Sequence, residues 1–385
     1  MKDQGRPSGR PFCLEACVAT GYTPIYRIYN GGVDITDHFN DRTTKIKVDL
    51  TSGGGEGDRC EIELDDRDWR IARPFGGEMI QVWLGYKEIG LAYLGTYTID
   101  DVIFEGMPRS IQLTGTSTGF NDIKKAPQIA NFSNKTVGDI LGEMASQSGL
   151  QLSIPSDLAG RQIPFKNQQV SNLHMIHELE RMFGAVGKVA DGNLVFVPRD
   201  STESVSGVAL PTLVLHPEHF GTWRVRYAGR NDASEVKAAY WDKDQHIRKW
   251  ISSALPGGDG DPFTIGQIFN SQMEAEAAAA AKAGAIKRAS VEAIFDLAKG
   301  DPWIRDAQTI LVTNMRDGIN GSYVVEKATH TYIKSTGIRS SLQCRAPGDG
   351  VDYSDRADDL FLRPMPGEPM GGVLPGAPGS GNEAP

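Results

Sequence analysis

A chain of 385 residues with 44 Gly, 21 Pro, 39% apolar and 23% charged residues exceeds one hydrophobic core and predicts two or three turn-rich domains. Its formal net charge of −9, with no basic run, argues against a general polyanion binder, because clustered Lys and Arg make most phosphate contacts. An acidic wall is still compatible with a conduit for DNA, since like charge keeps the cargo from sticking.

Residues 1–20 read as an N-terminal arm: Met1–Arg10 is polar, and the apolar patch Phe12–Ala19 is too brief for the h-region of a signal peptide. No run approaches the roughly 20 apolar residues of a membrane span, so we expect synthesis in the cytoplasm and no stable membrane association. Cys13, Cys17, Cys60 and Cys344 are too few for a disulfide scaffold and read as reduced thiols, with a crosslink to a neighbouring subunit left open. Cys13 and Cys17 lack the second ligand pair that a zinc site needs.

Residues 21–118 are short β-type runs cut by Gly, Asp and Pro. Lys45–Leu50 and Cys60–Leu64 alternate with period two, which predicts one face in a core and one in solvent, in an antiparallel sandwich or small barrel. Gly53–Gly57 is a loop without the Lys-Ser/Thr of a phosphate-binding loop. Residues 119–201 change texture to a small α/β domain. Ser133 or Asn134 is expected to cap a helix through Gln147, with Val137, Ile140, Leu141 and Met144 on its apolar face. A strand at Leu150–Ile154, a helix at Asn172–Phe183 and a hairpin over Val186–Pro198 around Asp191-Gly192 follow.

Residues 202–349 read as a second β-module, entered through the polar stretch Thr202–Pro211 and opening on the alternating strand Thr222–Tyr227. Gly257–Pro262 interrupts it as a loop, and the Ala-rich stretch 271–290 is a helix by propensity more than by amphipathicity. Gly95–Asp100 and Gly321–Glu326 say nearly the same thing, each preceded by an apolar strand and followed by a hairpin return, which predicts a duplicated module. Residues 350–385 form an extended tail. Pro364–Pro385 holds six Pro and six Gly in 22 residues, and its apolar members suit docking along a partner. The fold class expected is α+β, mainly β.

No constellation carries catalytic chemistry. His174 and His177 stand three apart with Glu178 after the second, the wrong order for a zinc peptidase helix, so they read as a solvated helix face. Asp65, Asp66 and Asp68 lack the Gly and terminal Glu of a calcium loop and read as a polar strand end. Asp100 and Asp101 point to opposite faces of a strand and cannot flank one bond, and no Gly-x-Ser-x-Gly elbow is present. We expect no enzyme, no cofactor and no metal.

In order along the chain, Cys60–Asp66, Val82–Lys87, Gly95–Asp101, Phe183–Val186, Gly192–Pro198, the Ala-rich helix, Gly300–Pro302 and Gly318–Tyr323 resemble the phage late-control protein D family, over roughly Ile25 to Ala346. The resemblance implies a baseplate hub of a contractile tail or related injection particle. It implies a homotrimer with two tube-like antiparallel β-barrels per chain and the small α/β domain inserted between them. Six similar units would then meet the sixfold tail tube protein, with the threefold central spike protein on the other side. Tape measure and baseplate wedge proteins are further implied partners, and DNA is transient cargo in a channel whose lining is expected to be acidic or neutral. The place implied is the virion, in the tail baseplate. The family brings no catalytic residues, and the tail and the Cys13–Cys17 pair lie outside its pattern. Two rivals remain: a tail-associated cell-wall hydrolase using the middle domain, and a receptor- or carbohydrate-binding tail-tip module. The second would need exposed aromatics, and Trp223, Tyr227, Tyr240, Trp241 and Trp250 are equally explained by a barrel core.

Overall fold

One chain path, traced twice, accounts for most strands of the computed structural model. It describes residues 22–346 except 40, 53–56, 73–75, 118–122, 124–126, 200–211, 228–232, 256–257, 259 and 317. The N-terminal arm with Cys13 and Cys17, the tail 350–385, the stretch Thr202–Pro211 and most of the Gly53–Gly57 loop therefore lie outside the described residues.

The first copy comprises β1 (Pro24–Asn30), β2 (Val33–Asp34), α1 (Thr36–Phe39), β3 (Thr43–Thr51), β4 (Arg59–Asp65), β5 (Met79–Tyr86), β6 (Gly90–Glu105) and β7 (Ser110–Ser117). The alternation acts as expected. Ile46, Val48 and Leu50 of β3 and Cys60, Ile62 and Leu64 of β4 are buried on one face, and Lys45, Lys47, Glu61 and Glu63 take the other.

The middle unit holds β8 (Ala130–Thr136), α2 (Val137–Gln147), β9 (Gln151–Ser153), α3 (Ser156–Ala159), β10 (Gln162–Gln168), α4 (Asn172–Phe183), β11 (Ala185–Ala190) and β12 (Asn193–Pro198). Ser133 and Asn134 do not cap α2. They lie in β8, paired with β10, and the cap is Thr136, in a capping box with Asp139. α4 has the expected bounds, capped by Ser171 and ended by Gly184 at φ 63. β11 and β12 turn through Asp191 and Gly192, both at positive φ.

The second copy takes β13 (Leu213–Leu215) and β14 (Phe220–Tyr227), then leaves for β15 (Glu235–Asp242), β16 (Ile247–Ala254), β17 (Phe263–Phe269) and α5 (Gln272–Arg288). It returns with β18 (Val291–Leu297), β19 (Thr309–Val312), β20 (Gly321–Ile333) and β21 (Gly337–Arg345). The excursion β15–β17 with α5 packs with the middle unit in one core, where Ala275, Ala278, Ala279 and Ala283 meet Met175, Leu179 and Val236. The range 202–349 is thus divided between two cores. With methyl groups along most of its buried face, between Glu274 near its start and Arg288 at its end, α5 can approach a sheet closely, whereas bulkier side chains would hold it off.

Apart from β2, which pairs only with β1, the copies match strand for strand. The pairing order is β1-β5-β6-β7-β4-β3 in the first and β13-β19-β20-β21-β18-β14 in the second. Register shifts recur at equivalent places, Ile99/Asp101 with Val325/Lys327 and Thr43/Lys45 with Phe220/Thr222. Gly95 and Gly321 take φ 141 and 146, conformations open to Gly alone. Two residues on, Tyr97 and Tyr323 are fully buried, their hydroxyls donating to Leu94 O at 3.0 Å and Ile319 O at 2.6 Å. One difference stands out: β1 runs antiparallel to β5, but β13 runs parallel to β19. Among the described residues β1 does not pair with β3, so neither copy closes on itself through hydrogen bonds. Instead β3 pairs with β20, and the copies fuse edge to edge in one 13-stranded sheet over a shared core.

Candidate assembly surface

The joint between the copies runs antiparallel from Lys327↔Thr51 to Ile333↔Lys45. On its core side Ala328 and His330 lie opposite Leu50 and Val48, all buried. On the other side Thr329 Oγ1 donates to Asp49 Oδ1 at 2.7 Å, and Lys47 and Lys327 lie 3.1 and 3.3 Å from Asp49 Oδ2. Burial works to raise the Asp49 carboxyl, but the hydrogen bonds from Thr329 and Lys47 and the Lys327 charge outweigh it, and the net shift is downward. The same polar face carries Lys45–Glu61 at 2.7 Å and Arg345–Glu326 at 2.6 Å. Half-exposed pairs of this kind contribute at most about 1 kcal/mol each. Their effect is to leave a broad face of mixed sign with its charges matched across strands.

His330 anchors the joint from inside. Its Nε2 lies 3.0 Å from Ile304 O, which can only accept, so Nε2 carries the hydrogen and Nδ1 accepts from the Ser340 hydroxyl at 2.8 Å. Ser340 Oγ in turn accepts from Asp301 N–H at 2.9 Å. Burial pushes the His330 pKa down to about 4, so the ring is neutral.

Lys188 of β11 ties the middle unit to both copies. Its Nζ lies 3.0 Å from Asp58, which precedes β4, and 2.7 Å from Asp306, which precedes β19. Burial alone would depress the ammonium, yet the two carboxylates outweigh it and its pKa rises. Burial also pushes the Asp58 carboxyl up, although Thr51 N–H donates to it at 2.8 Å. Beside this clamp lies a cavity of about 240 Å³ lined by Tyr93, Asp191 and Arg305. Tyr93 OH donates to Asp191 at 2.8 Å, Arg305 donates to Tyr93 O, and Ser117 Oγ donates to Val189 O at 2.8 Å. The clamp was missed by sequence reasoning. Its only signal was a lone Lys in the apolar run of β11; Asp58 and Asp306 sit in connections that gave none.

Residues singled out from the sequence are dispersed. Glu178 pairs with Lys166 at 2.7 Å and approaches His174 at 3.5 Å, on the rim of a cavity of about 1020 Å³ between α4, α5 and β17. His177 is half-buried, which lowers its pKa. Arg42 grips both Asp68 oxygens, at 2.6 and 2.7 Å, and Asp65 accepts from Arg67 N–H at 3.0 Å. Asp100 sits in the β6 bulge and accepts from Thr116 at 2.7 Å. Among the described residues no group of three or more His, Cys, Asp or Glu is placed to hold a metal. Cys60 and Cys344 are buried free thiols. A barrel core does not explain the aromatics: Tyr240 is buried, but Trp223, Tyr227, Trp241 and Trp250 are 42–49% exposed, two of them on β14.

No protein-family model matches the chain. It is 23% identical over 381 residues to the probable baseplate hub protein of Escherichia phage 186, across 88% of this chain and 97% of that protein. To the probable baseplate hub protein of Escherichia phage P2 it is 24% identical over 377 residues, with the same coverage of 88% and 97%. Of the solved structures, the 43 kDa tail protein of prophage MuSo2 from Shewanella oneidensis matches with a TM-score of 0.62 at 14% identity, over 85% of this chain and 99% of that one. At such identity the structural likeness speaks for a common fold.

Proposed function

We propose that this chain, a baseplate hub protein of the late-control protein D family, acts as the symmetry adaptor of a contractile tail. It is a phage tail component of structural kind. In the reading we put forward, three chains form a ring, and the two copies in each give six similar units. The sixfold tail tube docks on one side, the threefold central spike on the other, and tape measure and wedge proteins contact the rim.

The observation that carries this reading is the duplication itself. Two copies share a pairing order and two bulges and are fused edge to edge, which supports reading one chain as two adjacent sectors of a ring. The mixed-sign face of the sheet suits the wall of a channel through which DNA passes, because its lysines are neutralised by neighbouring carboxylates. Native mass spectrometry of the purified chain, alone and with its central spike protein, tests the proposal. A trimer in either state is expected, and a monomer in both would refute it.

A further inference from the structure

The cavity of about 1020 Å³ between α4, α5 and β17 is basic in an acidic chain. Its wall carries six Lys and Arg against three Glu, whereas the whole chain has a formal net charge of −9. Two of these cations meet no carboxylate among the described residues. Arg181 Nε donates to His177 O at 3.3 Å, and Lys282 Nζ lies 4.7 Å from the centre of the Phe263 ring, which is 41% exposed. In the same wall His177 Nε2 is buried without a hydrogen-bond partner among the described residues, a cost that a peptide group laid against it would remove. Free cations beside a bare aromatic ring and an orphaned ring nitrogen fit an acidic, partly apolar peptide.

Such a sequence leaves the sheet at this wall. Arg345, the last residue of β21, lines the cavity, and the next residue, Ala346, is buried and donates its N–H to Val291 O at 3.4 Å. Beyond it, residues 349–362 hold Asp349, Asp352, Asp355, Asp358 and Asp359 against Arg356 alone, and they close on Leu360-Phe361-Leu362. We propose that residues 349–362 dock in this groove of their own chain. Their carboxylates face Arg181 and Lys282, and Phe361 with its two leucines covers Met182, Phe263 and Ile265.

Reach and charge select this occupant. At up to about 3.3 Å per residue, the roughly 14 residues from Ala346 to Leu360 span about 45 Å, more than the rise of about 25 Å over the 17 residues of α5. The N-terminal arm has the wrong sign, with Lys2, Arg6 and Arg10 against Asp3 and Glu15. The stretch 200–211 also starts at a wall residue, Arg199, but it carries only Asp200 and Glu203 and no aromatic. Exposed ion pairs are individually weak, yet a segment tethered at the wall meets it at an effective concentration on the order of millimolar, so weak contacts suffice. The dock would join α4 of the middle unit to α5 and to the end of β21, whatever the number of chains in the assembly.

Amide hydrogen exchange of the full chain, read by mass spectrometry beside a synthetic peptide of residues 349–362, tests the dock. Amides of 351–362 are expected to exchange at least about tenfold more slowly in the chain than in the peptide. Arg181→Glu with Lys282→Glu should bring them to the peptide's rate with far-ultraviolet circular dichroism unchanged. Adding Asp355→Lys, Asp358→Lys and Asp359→Lys should restore the protection to within about threefold of the natural chain. In a mixture of heavy- and light-isotope chains, carbodiimide should link Lys282 to an Asp of 352–359 within one label. Exchange at the peptide's rate in the natural chain, protection indifferent to the first reversal, or failure of the second to rescue it overturns the proposal. So does a Lys282 that forms no such link, or that links instead to Asp200 or Glu203. Links that bridge the two labels overturn it as well, because they put the segment of a second copy in the groove.

Discussion

Replacing Lys188 by Met tests how the three units are held together. The ammonium is 15% exposed and contacts carboxylates that are 8% and 13% exposed, at 3.0 and 2.7 Å. Removing one member of a buried ionic group leaves uncompensated charge, a loss of about 3–5 kcal/mol. With a urea slope of about 2 kcal/mol per molar, the midpoint should fall by about 2 M in equilibrium unfolding followed by tryptophan fluorescence. The loss should depend on pH. Burial already pushes the Asp58 carboxyl up to about 6, and losing the Lys188 charge beside it favours the protonated form further, so the deficit grows as pH rises through that range and shrinks toward the unfolded value of about 3.9. In the natural protein Lys188 itself is raised, so its contribution is full below about pH 10.4 and fades above it. The triple variant Lys188→Met, Asp58→Asn, Asp306→Asn should recover most of the lost stability, because no charge is left stranded. A single variant within about 1 kcal/mol of the natural protein, or a triple variant less stable than the single, would show that the clamp is not a buried ionic group in the sense argued.

His330 makes the joint acid-sensitive. Its folded pKa of about 4 lies below the ordinary 6.5, so stability is full above 6.5 and lost as pH falls toward 4. Between pH 7 and 5 the natural chain should lose about 2 kcal/mol more than His330→Gln, and parallel pH profiles from chemical denaturation would contradict this. Burial pushes the Cys60 and Cys344 thiols far up, so peptide mapping after iodoacetamide should find both unmodified in the native protein and modified after unfolding. Native-state labelling at the rate of a free thiol would show that this core opens.

Local patterns were legible where one residue type answers one demand. The alternation in β3 and β4, the Asp191-Gly192 turn and the bounds of α4 follow from period, turn chemistry and capping. The echo of Gly95 in Gly321 was legible because a buried Tyr two residues after a left-handed bend leaves little freedom. Competition hid the start of α2: Ser133 and Asn134 are good caps, but β10 recruits them into a strand first. The destination of α5 was hidden because a helix faced with Ala has no side that points to one core over another. The exposure of Trp223 and Tyr227 was hidden because they look like core residues in a single chain's pattern. The match to hub proteins rested on the order of segments, and the α/β unit and duplicated sheet explain that order.

The joint between β3 and β20 links Asp49 to Thr329, 280 residues later in the chain. At about 5–20 residues per second, a ribosome needs roughly 15–60 s to deliver the second strand after the first. Throughout that interval β3 presents a bare edge inside the cell, with Lys45 and Lys47 on its polar side. Those lysines therefore act as gatekeepers in time, discouraging early β-sheet association between nascent chains on one polysome. The yield of folded chain would then be governed by synthesis rate and chaperone access as much as by the stability of the finished fold.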